Sequence, residues 1–301
     1  FAHSKATQQS IRNIFDSISE LKWSIPNSGK IQSIYITTLH EYCIDNLLKS
    51  KISESEILER DALDSKNLQY YAVYEAFEKV MDESYTTYKP LLSKSLKLTI
   101  EQNLDNRSVI CGLLQHEFSV MIKGKAGGDP EKYKKIKSLE AGLRVETEDD
   151  KSFIWLIFLE YQKHFESIQQ YDTDDIVLSA ISSLDNPIWR RRRKQEGYDY
   201  IFIDETHLFN QNELMVFHYL TKNSDIHPIV FSIDISQAIG DQGLDEEDFL
   251  KGYIDGNIIY KKEYDLVFRC SPQITDLAMA ITASGSNLFG SFKNPYSHSK
   301  S

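Results

Sequence analysis

Apolar residues Ile11, Ile14, Phe15, Ile18 and Leu21 recur at helical spacing and predict an amphipathic helix over 2–21. Pro26-Asn27-Ser28-Gly29 reads as a turn, and Ile34-Tyr35-Ile36 centres a strand over 31–38. Thr38 is a suitable N-cap for a helix running through 48. Helix, strand, helix is the rhythm of a parallel α/β sheet. From about 51 to 164 strand signals vanish. Helical periodicity repeats through Ile57-Leu58, Tyr70-Tyr71, Val80-Met81 and Leu113-Leu114, broken at 123–130, which predicts a helical insertion.

After the insertion the pattern returns to α/β. A helix is expected over 176–184 and another over 212–220. Between them Tyr200-Ile201-Phe202-Ile203 is a short apolar strand that stops at Asp204-Glu205. A second apolar strand, 228–233, stops at Asp234. Both strands read as the buried type, and ligands of parallel α/β sheets bind beyond the carboxyl ends of the strands.

Side chains alternate along an extended chain, so Asp204 and Glu205 cannot face one way without a turn between them. Such a pair suits a division of labour, with Asp204 holding Mg²⁺ and Glu205 acting as general base on a water. A strand end capped by two solvated acids is the equally plain structural reading.

Composition narrows the field. The 301 residues carry 34 Lys plus Arg against 45 Asp plus Glu, a net charge of −11, with 41% hydrophobic residues. That is enough apolar material for a core, and it argues against nucleic-acid binding through bulk charge, although a local basic track remains compatible. Cys43, Cys111 and Cys270 lie too far apart for a disulfide framework or a zinc site, which points to a reducing, cytoplasmic compartment. No apolar run is long enough for a membrane span. The Arg190–Lys194 run reads as a solvated helix face, with phosphate tracking as its other reading.

Three ordered segments add more. Tyr198-Asp199-Tyr200-Ile201-Phe202-Ile203-Asp204-Glu205-Thr206-His207, then Val230 to Ile239 with Asp234 and Gln237-Ala238-Ile239, then Leu266 to Ile274 with Phe268-Arg269, resemble the second, third and fourth motifs of UvrD/Rep-like superfamily 1 DNA helicases. Ile34 to Glu41 is similar to that family's strand followed by Thr-aromatic-His. His3-Ser4-Lys5-Ala6 resembles the end of the motif before it.

This resemblance implies an α/β fold: a RecA-like P-loop NTPase parallel sheet (1A) interrupted by a helical subdomain (1B). The first part of 1A would span 1–50, the 1B-like insertion 51–165, the second part of 1A 166–260, and the start of domain 2A 261–301. It implies ATP and Mg²⁺ as cofactors and single-stranded DNA as partner, within a repair or defence complex and away from any membrane. By position, Asp204 and Asp234 would bind the Mg-nucleotide, with Asp204 on the metal. Glu205 would activate water, Gln237 would sense the γ-phosphate, and Arg269 would act as an arginine finger, for which a planar, permanently charged fork is suited. Thr38, His40 and Ser4 would contact DNA.

No Gly-x-x-x-x-Gly-Lys-[Ser/Thr] loop occurs in the sequence. In the family it lies just before the position where this chain begins, so the expectation is an internal piece of a longer helicase, inactive by itself. His207 stands where Gln is usual, and Ile233 and Gly240 replace a Gly and a base-stacking Tyr. A non-hydrolysing scaffold for DNA or protein is therefore the alternative. A metal-dependent nuclease using Asp204, Glu205 and Asp234 is a lesser rival.

Overall fold

The structure, a computed structural model, describes residues 1–17, 34–104, 106–138, 142–223, 228–233, 262, 271, 273–278 and 280. The chain forms two compact units, 1–233 with 240–243, and 234–239 with 244–301. In the second unit the described residues include one helical stretch, 273–278, where Thr275 donates from both its amide and its hydroxyl to the Ser271 carbonyl.

In the first unit, helix α1 spans Lys5–Ser17, within the predicted amphipathic helix; 18–21 lie outside the described residues. Helix α2, Leu39–Tyr42, starts as expected at Thr38, whose hydroxyl accepts from the Glu41 amide at 3.2 Å. It continues into a π-helical turn, Cys43–Leu48. The strand predicted over 31–38 is present among the described residues only as one parallel bridge between Ala2 and Thr38. Ile34 and Tyr35 are exposed.

The middle of the chain is helical: α3 (Ala62–Glu83), α4 (Tyr85–Tyr88), α5 (Lys94–Gln102), α6 (Arg107–His116), a second π-helical segment (Glu117–Lys125), α7 (Pro130–Lys135) and α8 (Glu148–Ile168). Local chemistry sets the boundaries. Thr147 and Asp150 form a reciprocal capping box at the start of α8, and acids fill its first turn, where they complement the helix dipole. Gln169, left-handed at φ 53°, ends it. Phe77 of α3, Leu96 of α5, Leu114 of α6, Phe118, and Phe153 and Phe158 of α8 share one buried cluster. Within it, burial pushes the Glu117 carboxyl up to about 7, and the Tyr133 hydroxyl donates to it at 2.8 Å.

Then follow α9 (Thr173–Leu184), α10 (Pro187–Glu196), strand β1 (Ile201–Ile203), α11 (Gln211–Leu220) and strand β2 (Ile229–Phe231). The strands are parallel, with Ile201 opposite Ile229 and Ile203 opposite Phe231. Their burial departs from the expected two-sided kind. Ile201 and Ile203 are buried, but Phe202 is 63% and Val230 53% exposed, because only one face of the pair is covered.

The basic run also departs from its solvated reading at one position. Arg190 and Arg192 pair outward with Asp185 and Glu196, but Arg193 turns onto the end of α11. There its guanidinium donates to the carbonyls of His218, Thr221 and Asn223 and to the Thr221 hydroxyl, satisfying acceptors that the helix leaves open. One turn earlier, the Trp189 indole donates to the Tyr219 carbonyl at 2.9 Å. These two residues tie down the crossover between the strands.

Candidate nucleotide and DNA site

Two further extended stretches lie alongside the strands. The Asp204 amide donates to the Phe1 carbonyl at 3.0 Å, and the Phe1 nitrogen donates to the Phe202 carbonyl, which is the hydrogen-bond pattern of a parallel neighbour. Ala2 in turn bridges Thr38 in parallel, with its amide donating to the Thr37 carbonyl at 3.0 Å. The lateral order is therefore 37–38, 1–2, β1, β2. Because every pair is parallel, their carboxyl ends form one rim. Ser4, Thr38, Asp204, Glu205 and the residues after β2 all follow those ends.

At the tip of β1 the chain turns. Glu205 adopts the left-handed conformation, φ 50° and ψ 48°, which is uncommon for a residue with a side chain. The turn takes the two acids out of the strict alternation of an extended chain. It is stabilised across the strands by Ser232, whose hydroxyl donates to Asp204 Oδ1 at 2.9 Å and accepts from the Glu205 amide at 3.1 Å. The flanking backbone closes the arrangement: the Ser232 amide donates to the Ile203 carbonyl, and the Thr206 amide donates to the Ser232 carbonyl. Strain of about 1–3 kcal/mol at such a residue persists only where its surroundings over-determine it, as they do here.

The Glu205 side chain is 40% exposed, and its Oε2 lies 3.3 Å from Nε2 of buried His207. That pair is ionic only when the imidazole is protonated. Asp204 offers a hard oxygen at the sheet edge, with Oδ1 engaged by Ser232 and no hydrogen bond to Oδ2 among the described residues. No group of three or more potential ligands forms among them either. This donor set fits Mg²⁺, which keeps several waters and binds through one or two carboxylates plus substrate phosphates.

The expected DNA residues have defined places. The Ser4 hydroxyl accepts from the Thr7 amide at the start of α1, and Thr38 caps α2. His40 is buried, with Nε2 3.0 Å from the Glu59 carbonyl and Nδ1 without a hydrogen-bond partner. Burial lowers its pKa, partly offset by the Glu59 carbonyl, which favours the neutral ring near pH 7. Asp234, Gln237 and Arg269, with Gly240 and Cys270, lie outside the described residues.

Lys123 and the start of α9 form a buried ionic cluster; the acidic run over 171–176 resembles one that precedes the family's second motif, but its pairing with Lys123 could not be read from the sequence. The Lys123 ammonium donates to Asp172 at 2.6 Å and to Asp175 at 2.7 Å, and the Tyr161 hydroxyl also donates to Asp172. Asp172 caps α9 through the Asp175 amide. Asp174 accepts from Ser119 and from Asn210, and Asn210 is the N-cap of α11. A continuous set of contacts thus runs from the helical middle to the helix that follows Glu205.

A parallel strand pair joined through a helix, with Asp204 and Glu205 at the carboxyl end of β1, places the chain in the α/β class. Residues 4–239 match the UvrD/REP helicase N-terminal domain, and the chain belongs to that helicase family. No curated protein matches it. Among the described residues no helix is long and apolar enough to cross a membrane.

Proposed function

We propose that this chain is the core of an ATP-dependent superfamily 1 DNA helicase or translocase, in which hydrolysis drives movement along single-stranded DNA. In this reading the two parallel-strand segments belong to a RecA-like 1A domain, the helices over 51–165 to a 1B-like insertion, and 261–301 to the start of 2A. The observation that carries it is the β1 tip, where Ser232 engages both the Asp204 carboxylate and the backbone amide of left-handed Glu205.

Asp204, with Asp234, would hold the Mg²⁺ of MgATP; the metal supplies charge neutralisation at the phosphates. Glu205 accepts a proton from the attacking water as its oxygen bonds to the γ-phosphorus and the bond to ADP breaks. The nearby His207 imidazole, when protonated, pairs with this carboxylate. Gln237 and Arg269 take the γ-phosphate-sensing and arginine-finger roles. Ser4, Thr38 and His40 sit at or just after the starts of two helices next to this rim, and we assign them to the DNA side of the site. Thr38 and His40 are buried, so in this reading they shape the backbone rather than touch DNA, and direct contact falls to partly buried Ser4.

The test is ATP hydrolysis by the intact protein carrying this chain, with and without single-stranded DNA. Mg²⁺-dependent turnover that DNA stimulates at least tenfold is expected. DNA binding without turnover would support the non-hydrolysing scaffold instead.

A further inference from the structure

The geometry points to Ser232 as a positioning residue of the hydrolytic site, acting through both acids of the neighbouring strand at once. This rests on the ATPase reading above and deepens it. One hydroxyl makes two directed bonds: its proton goes to Asp204 Oδ1, and its lone pair receives the Glu205 amide. The first bond orients the Asp204 carboxylate and leaves Oδ2 as the oxygen available to a cation. The second fixes the backbone of Glu205 in a conformation that a non-glycine residue rarely holds unaided.

The placement is specific. Ser232 is the first residue beyond β2, and its backbone is locked to β1 on both sides, by its own amide to Ile203 and by the Thr206 amide to its carbonyl. Its hydroxyl therefore has little freedom relative to the two acids. Residues in the cores of these strands could be exchanged for other apolar ones without changing the chemistry at the tip. At 232, only a side chain with a hydroxyl on Cβ can donate to Asp204 and accept from Glu205 at these distances.

The assignment predicts a definite pattern in the intact protein. Ser232→Ala weakens Mn²⁺ binding, followed by electron paramagnetic resonance with a non-hydrolysable ATP analogue, by about fivefold, the worth of one hydrogen bond of roughly average strength. It lowers kcat for ATP about tenfold and raises KM for MgATP by no more than the fivefold loss in metal affinity, because the contact to the Glu205 amide aligns a reacting group rather than binds substrate. Ser232→Thr keeps the hydroxyl and restores both quantities. A purely structural serine would lower thermal stability without moving the Mn²⁺ affinity of the folded protein.

If Ser232→Ala binds Mn²⁺ and turns over like the wild type while the wild type is a DNA-stimulated ATPase, the Ser232 assignment fails and the motor reading stands. Equal impairment of the Ala and Thr variants also overturns it, since the hydroxyl would then not be the active feature. A wild-type protein with no Mg²⁺-dependent hydrolysis removes the motor reading and this assignment together.

Discussion

Glutamine at position 205 is expected to lower ATP hydrolysis by the intact protein about 10²–10⁴-fold, the usual range for loss of a general base. The change is nearly isosteric, so the left-handed turn at 205 and the amide bond to Ser232 are preserved. What disappears is the carboxylate that can take a proton from water. Binding of ATP should change less than twofold, because Asp204 and the rest of the phosphate contacts are untouched. The measurement is kcat alongside equilibrium binding of a fluorescent ATP analogue. A Glu205→Gln protein that hydrolyses ATP at the wild-type rate would remove Glu205 from the chemistry.

The second large effect concerns folding. Lys123→Met should destabilise the protein by about 3–5 kcal/mol, read from urea unfolding, because it strands buried carboxylates. Burial alone would raise the Asp172 carboxyl, but the Lys123 ammonium overcomes this and holds it below its usual value. Burial, together with the adjacent Asp172 charge, pushes Asp174 up to about 7 and Asp175 to about 6. Removing the single ammonium leaves this group of acids without its main compensation. Adding Asp172→Asn to Lys123→Met should recover part of the loss, since one uncompensated charge is then gone, and the two changes will not be additive. A loss under 1 kcal/mol for Lys123→Met would show that the cluster is open to water.

Much of the frame was legible in the chain itself. Thr38 as a cap, the helices over 176–184 and 212–220, and an apolar strand ending at Asp204-Glu205 are local features, and local chemistry decides them. The cross-strand role of Ser232 was not legible, although the residue lies within a recognisable segment, because it depends on the register between β1 and β2. Lys123 and Asp172 are 49 residues apart, and a lysine at the end of a helical stretch normally reads as solvated. Arg193 was hidden in the same way, as one of four consecutive arginines of which it alone turns inward to cap α11. The π-helical turns at Cys43–Leu48 and Glu117–Lys125 directly continue helices, the second running into the 123–130 stretch that reads as a break, so periodicity could not reveal them.

The uncovered face of the strand pair is a related lesson. Ile201 and Phe202 are equally apolar, yet one is buried and the other exposed. An unbroken apolar run shows that a strand is suited to burial on both faces and leaves open which elements cover them.

The most direct measurement places a metal at the rim. Fe²⁺ substituted for Mg²⁺ with a bound ATP analogue cleaves nearby backbone when peroxide and ascorbate are added, and the fragments can be mapped by mass spectrometry. Nucleotide-dependent cleavage centred on 203–205 and 231–234 is the predicted result. Cleavage elsewhere only, or cleavage at these residues that nucleotide does not change, would contradict the assignment of this sheet edge to the phosphates of ATP.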